Sequence, residues 1–434
     1  MDPIDYYRAT APAAAMHAAL AGRVECDTCV VGGGFAGLNT ALGLAERGHR
    51  DVVLLEATRV GRGASGRNGG FVFGGFSRGE DRLLEDLGAA RARALYAGTT
   101  DAVELIRARI DRYGIACERT DAGVLWANWF QDPSVLRKRQ RLLANAFGVE
   151  WDWVPRAALR GQLHTTRYSD ALFEPRAFHF HPLKYVHGIA RAAVGLGVRL
   201  HEGSPATGLC RDGAGWRIDT PAGTVHARRV VLACGGYLAG LRGSVDAGVL
   251  PIATYAMATE PLGERLHGAM STRAAVYDTR FAFDYYRPMA DTRLLWGGRI
   301  SIVDRDPGEV ARLLRGDLLK VFPQLEGVRI DHAWSGLMSY ARHEMPQVGL
   351  VDQDLWLAQA FGGHGVAPTA FAGELLASAI AEGDTRWREL GDYGLVSALK
   401  PAGFVGAQLR YWWLQGRDAW KDWRERVSVA ARHA

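Results

Sequence analysis

The chain has 434 residues, 48% hydrophobic and 23% charged, with a formal net charge of +5. That length allows two domains, or one large domain with an insertion, and the apolar share is that of an ordinary globular enzyme. Lys and Arg are scattered without a basic tract or a recognisable module, so nucleic acid is not expected as a partner.

Residues 1–25 read as a lead-in with a short Ala-rich helix. The next stretch is the most informative. Thr28, Val30 and Val31 favour a strand, Gly32, Gly33 and Gly34 break it, and Leu38, Leu42 and Ala45 recur at helical spacing. Gly32, Gly34 and Gly37 make G-x-G-x-x-G at the start of a helix that opens with Phe35 and Ala36. The first glycine permits the turn, the second lets a pyrophosphate approach the backbone, and the third lets helix and strand pack closely. The phosphates then face the free N–H groups and positive end of the helix. A second strand, 52–55, ends in Glu56, about 20 residues on, where a carboxylate binds a ribose 2′-hydroxyl and disfavours a 2′-phosphate. A dinucleotide other than NADP is expected, with NAD and FAD both open at this point.

After Glu56 and Ala57 comes Gly61, Arg62, Gly63, Ala64, Ser65, Gly66, Arg67, Asn68, Gly69, Gly70. The run is too glycine-rich for a helix or sheet interior and suits backbone pressed against a flat cofactor. Residues 80–113 predict one or two amphipathic helices, 123–126 a strand and 135–146 a charged helix. His179, His181, His187 and His201 invite a metal, but His181-Pro182 ahead of an amphipathic pattern reads as a loop and helix start, and no metal site is expected. Short strands follow to 229–232, which leads into Ala233, Cys234, Gly235, Gly236.

From 250 to 302 the pattern becomes alternating and aromatic, with two strands joined by a turn near 290–292, the best candidate for an antiparallel sheet. Phe283, Tyr285 and Arg287 should share one face, with Arg299 on the partner strand. Arg287 and Arg299 could clamp a carboxylate bidentately or pair with Asp284 or Asp304, and Tyr285 could position an amine or simply pack. A helix over 311–322 precedes a strand, a turn at Gly362, Gly363, His364 and Gly365, and a helix from Val366. Trp412, Trp413, Trp420 and Trp423 lie on a final helix. A surface cap or dimer contact fits them better than a membrane, because Asp418, Asp422 and Glu425 would be repelled by anionic lipid.

The cysteines number five, an odd count that fits a reducing compartment. Cys26 and Cys29 form C-x-x-C, but they enter the first strand, where positions three apart face opposite sides, so no redox pair is expected. With no membrane-length apolar run and no basic-then-apolar start, the expected location is cytoplasmic, without membrane insertion.

The fingerprint and the GRGASGRNGG run resemble the D-amino-acid-oxidase-like FAD oxidoreductases, the group with glycine, sarcosine, gamma-glutamylputrescine and L-pipecolate oxidases. The resemblance extends through 181–182, 285–299, 334–349 and 361–373, nearly the whole chain. It implies FAD, with an adenine contact from the backbone of Ala206, a second nucleotide contact at Ala233, Gly235 and Gly236, and a flavin turn at 361–373 that includes His364. It also offers Arg342 as a third carboxylate ligand. Sarcosine-oxidase-like members carry a carboxylate-binding Lys three residues after that His and attach flavin to a cysteine nearby; here the position is Ala367, and no cysteine follows Cys234. FAD is therefore expected to be noncovalent.

The expected fold is α/β, a Rossmann-like FAD-binding domain from 1–85, 150–240 and 330–434, interleaved with an α+β substrate domain from 86–149 and 241–329 built on an antiparallel sheet. The expected reaction is oxidation of the C–N bond of an amine or amino acid, with dioxygen or another electron acceptor reoxidising the flavin. A secondary amino acid such as L-pipecolate ranks first and gamma-glutamylputrescine or a related amine second. A flavoprotein acting on tRNA or another macromolecule stands as an alternative of another class, because of the pI near 9.0.

Overall fold

The computed structural model describes residues 5–433. Two eight-stranded sheets organise it. In the first, strands Leu355–Gln359, Gly223–Leu232, Gly22–Val31, Val52–Leu55 and Arg199–His201 lie side by side and parallel. Gln347–Asp352 adds an antiparallel edge, and Gly208–Asp212 and Gly215–Asp219 extend antiparallel from Gly223–Leu232. Parallel strands buried on both faces read as continuous apolar runs, and Val52–Leu55 is buried throughout. Val30, Val52 and Leu54 meet the helices Phe35–Glu46, Pro182–Gly195 and Val366–Glu382 through Leu38, Leu42, Ile189 and Leu375. Val31, Val53 and Leu55 pack against Trp216 and Ile218 on the other face.

The second sheet runs Ile330–Tyr340, Leu250–Thr259, Leu294–Ser301, Tyr285–Pro288, Ala275–Asp278, Val124–Ala127, Ala171–Glu174, Asp152–Val154. It is antiparallel except where Ala275–Asp278 pairs with Val124–Ala127. One face is covered by helix Pro307–Val321, whose Val310, Leu314 and Leu318 pack with Met257, Tyr286 and Trp296. The Tyr286 and Trp296 rings stack 4.4 Å apart. This is the expected α/β class, a Rossmann-like layer joined to an antiparallel sheet.

Several boundaries differ from the sequence expectation. Asp152–Val154, Ala171–Glu174 and Ile330–Tyr340 belong to the second sheet, so the sheets do not divide at 150 and 330. Apolar alternation marks a strand without saying which sheet receives it. The Ala-rich helix is absent: the helix is Tyr6–Thr10, capped by the Asp5 side chain, and Pro12 follows it. The alanine segment instead runs irregularly, with the His17 N–H donating to Glu202 and the Leu20 N–H to Ser204, contacts that replace a helix's own bonds. Cys26 and Cys29 share one buried cluster instead of facing opposite sides, and both are free thiols pushed above the usual range by burial. The long helix Glu80–Arg112 is broken at Gly88, whose φ of 74° lies in the left-handed region. Pro182 opens its helix behind His181, whose side chain caps the Lys184 N–H.

Candidate active site

A cavity of about 1290 Å³ runs from the first sheet to the second. At the end formed by the first sheet, Gly32 has φ 115° and an added Cβ would lie 2.6 Å from Ala233 O, so only glycine makes this turn. A Cβ on Gly37 would lie 2.0 Å from Gly32 O, the close packing of helix on strand that the motif predicts. Gly37 alone of the expected cofactor residues stands outside the cavity lining, because its part is packing. The helix begins at Phe35 with Gly34 as its cap, opening its N-terminus toward the cavity, and the Phe35 N–H donates to Ser65 Oγ at 2.8 Å. Glu56 is held by the N–H groups of Gly33 at 2.8 Å and Thr58 at 2.9 Å, and burial raises its pKa. Ala206, Ala233, Gly235 and Gly236 line the same end.

The middle is the glycine run. Asn68 Nδ2 donates to Ala64 O and Ser65 O, and its Oδ1 accepts the Gly70 N–H at 2.9 Å, so one side chain shapes the loop. Trp334 Nε1 donates to Arg67 O and Arg67 Nη1 to Ser335 O, joining this run to segment 334–349. Ala57, Arg62 and Gly63 also face the cavity.

At the far end the Gly362 to Val366 turn meets the aromatic sheet. Gly362 has φ 62°, and Ser77 Oγ bridges Phe361 O and the His364 N–H. The His364 ring lies 4.1 Å from the Phe73 ring with Nε2 3.3 Å from Phe73 O. Burial drops its pKa to about 4, so the imidazole is neutral at pH 7. It does not cap the helix, whose cap is Gly365. Tyr285 faces the cavity and sits over Gly69, where a Cβ would lie 2.7 Å from its ring.

The three expected arginine ligands go to three different places. Arg287 is 3% exposed and lies behind Gly69, outside the lining. Its Nε donates to Gly69 O at 2.7 Å and its Nη2 to Phe180 O at 2.9 Å and to the Tyr7 hydroxyl. It shares a face with Tyr285 as predicted, but it serves as a strut for the glycine run, because buried carbonyls claim its donors. Arg299 lines the cavity yet grips Asp317 bidentately, at 2.6 and 3.0 Å, not Asp284 or Asp304. Arg342 is exposed at the rim.

Sequence reasoning missed another polar group. Arg139 lines the cavity, donates to Glu80 at 2.6 Å, and lies over the rings of Trp126 at 4.7 Å and Trp151 at 5.0 Å. Its Nε has no hydrogen-bond partner, nor do Glu174 Oε2 and the hydroxyls of Tyr96 and Tyr277. Burial pushes the Glu174 carboxyl up to about 8. Tyr277 stacks between Phe73 and Trp126, forming an aromatic wall. No local signal identified this group: Arg139 sits in SVLRKRQRL, which reads as one more charged helix. Among the described residues no cluster of three or more His, Cys, Asp or Glu could hold a metal, and no helix is long and apolar enough to cross a membrane.

A Rossmann-like layer on one side and an antiparallel sheet on the other share one cavity, and a cofactor held by the first can meet a second molecule at the other. The chain belongs to the DAO family: the family model for FAD dependent oxidoreductases matches residues 27–379. Gamma-glutamylputrescine oxidoreductase of Escherichia coli is 37% identical over 374 residues, 86% of this chain and 87% of the relative. A probable oxidoreductase, OrdL, of Haemophilus influenzae is 34% identical over 83% of this chain and 84% of its own length. Glycine oxidase from Geobacillus kaustophilus shares the fold at TM-score 0.71 and 21% identity, covering 86% of this chain and 99% of that one. L-proline dehydrogenase from P. horikoshii does so at 0.70 and 20%, covering 87% and 100%. The protein is thus an FAD-dependent oxidoreductase.

Proposed function

We propose that the protein oxidises the C–N bond of an extended amine, gamma-glutamylputrescine or a close relative, and that L-pipecolate is not its substrate. This reverses the order drawn from sequence alone. The observation that carries it is the 37% identity, over most of both chains, to gamma-glutamylputrescine oxidoreductase. Three features in and around the cavity support it. Ala367 stands where a carboxylate-binding Lys occurs in sarcosine-oxidase-like members, Arg287 is tied to backbone carbonyls, and Arg299 is tied to Asp317.

In this reading the Gly32–Gly37 turn would hold the pyrophosphate of a noncovalent FAD, Glu56 a ribose hydroxyl, and Gly69, Gly70 and the Gly362–Val366 turn would hold its ring. Bound flavin supplies a two-electron acceptor for the amine, and the imine formed takes up water to give an aldehyde and ammonia. The chain's own residues orient the substrate. Tyr285 and the Phe73–Tyr277–Trp126 wall enclose its methylenes and exclude water. Neutral His364 contributes a dipole without competing for positive charge with the amine. Arg139, paired with Glu80 through Nη2 but with its Nε left without a partner, is the cavity group placed to meet the carboxylate of a glutamyl head group.

Anaerobic mixing of the flavin-loaded enzyme with gamma-glutamylputrescine, putrescine, pipecolate and sarcosine tests the reading. Gamma-glutamylputrescine should bleach the flavin fastest. Bleaching by pipecolate and not by the acylated amine would return the assignment to a secondary amino acid.

A further inference from the structure

The last helix, Ala402–His433, lies beyond the residues matched by the family model and has two unlike faces. Its inner face carries Gln408, Tyr411, Leu414 and Asp418, all buried. Its outer face exposes Val405, Leu409, Trp412, Trp413, Trp420, Trp423 and Val427, the four tryptophans between 56% and 67% exposed. Spacings of three and four make one stripe, about 33 Å long at 1.5 Å per residue. Four indoles this open leave on the order of 500 Å² of aromatic surface in water, the size of the largest apolar patch a monomer ordinarily carries, and such patches are commonly interaction sites.

Charge selects the occupant. The helix's acids turn inward: Asp418 accepts the Phe281 N–H at 2.6 Å, Asp422 pairs with Arg167 at 2.5 Å, and Glu425 accepts the Gln131 N–H at 2.6 Å. The repulsion of anionic lipid expected from the sequence is thereby removed from the outer face. Arg410, Arg417 and Arg424, seven residues apart, form a row along one flank of the stripe; Arg410 pairs with Glu344 at 2.7 Å, while Arg417 and Arg424 lie over the rings of Trp413 and Trp420 beside the exposed indoles. An antiparallel pairing of two copies would set this row against itself, whereas an anionic lipid surface accepts the arginines at its headgroups and the indoles at its interface. The net charge of +5 acts in the same direction.

We infer that this helix docks the enzyme, in the interfacial plane, on an anionic membrane surface. The same helix lines the cavity through Gly403, Gly406, Ala407 and Tyr411, so docking would bring the cavity near the lipid.

Vesicle flotation of the full-length, flavin-loaded enzyme tests the inference. With equimolar phosphatidylcholine and phosphatidylglycerol, most of the enzyme should float and high salt should release it; pure phosphatidylcholine should leave it behind. W413S/W420S/W423S and, separately, R417Q/R424Q should each cut binding by about ten-fold while keeping flavin and amine turnover, since these side chains stand outside the cavity lining. Enzyme that stays below the anionic vesicles overturns the inference. If, in addition, wild type sediments as a dimer and the tryptophan variant as a monomer, the stripe belongs to a second copy.

Discussion

The two ends of the cavity are built on different principles. The nucleotide end is made of backbone: Gly32, Gly34 and Gly37 come from one short segment, and what matters is the side chain they lack. The substrate end is made of side chains from separate segments, with Glu80, Trp126, Arg139, Tyr277, Tyr285 and His364 each on a different element or turn. A backbone-built site depends on sequence spacing and tolerates little substitution. A side-chain-built site can be retuned one residue at a time.

The contrast can be broken most severely at Gly37. Gly37→Val should abolish flavin retention, because its Cβ falls 2.0 Å from Gly32 O; bound-flavin absorbance of the purified protein measures this, and normal retention would refute the packing role. Arg287→Ala comes next. It leaves the buried Phe180 O and the half-buried Gly69 O without their donor and should cost roughly 3 kcal/mol of stability, read in a thermal melt. A melt unchanged beside a raised KM would make Arg287 a substrate ligand after all.

At the other end, the double change Glu80→Gln, Arg139→Gln replaces the ion pair with two neutral amides of similar size, leaving no unpaired buried charge. It should lower kcat/KM for gamma-glutamylputrescine about 10- to 100-fold and leave unacylated putrescine nearly unaffected. An equal loss on both amines would place the pair in structure and not in recognition. The mildest expected effect concerns Glu174. Its carboxyl, raised by burial to about 8, favours the folded state fully below the ordinary value near 4.5 and loses that contribution as pH rises through 8. Melting temperature should therefore fall more steeply from pH 6 to 9 in wild type than in Glu174→Gln.

The same contrast governs what could be read from sequence. That the Gly32–Gly37 turn, Glu56 and the 61–70 run meet at one place was legible because the physics that brings them together is local. The Gly362–Val366 turn was legible through resemblance. Arg287 shows the limit: alternation put it on the cavity side with Tyr285, but its carbonyl partners at Gly69 and Phe180 are more than a hundred residues away in sequence and could not be foreseen. Arg139 and Glu80, 59 residues apart, were illegible for the same reason, as was the membership of Asp152–Val154 and Ile330–Tyr340 in the second sheet. The terminal helix was seen as amphipathic, yet the direction of Asp418, Asp422 and Glu425 needed the body of the protein to define it.

The central claim is that the glycine-built end fixes the cofactor and the side-chain end selects an acylated amine. Steady-state turnover of gamma-glutamylputrescine and putrescine by the wild-type enzyme tests it most directly. The account predicts a kcat/KM at least about ten-fold higher for the acylated amine, carried mainly by KM, as expected for a head group recognised away from the reacting bond. Equal values for the two amines, or a preference for pipecolate over both, would contradict it.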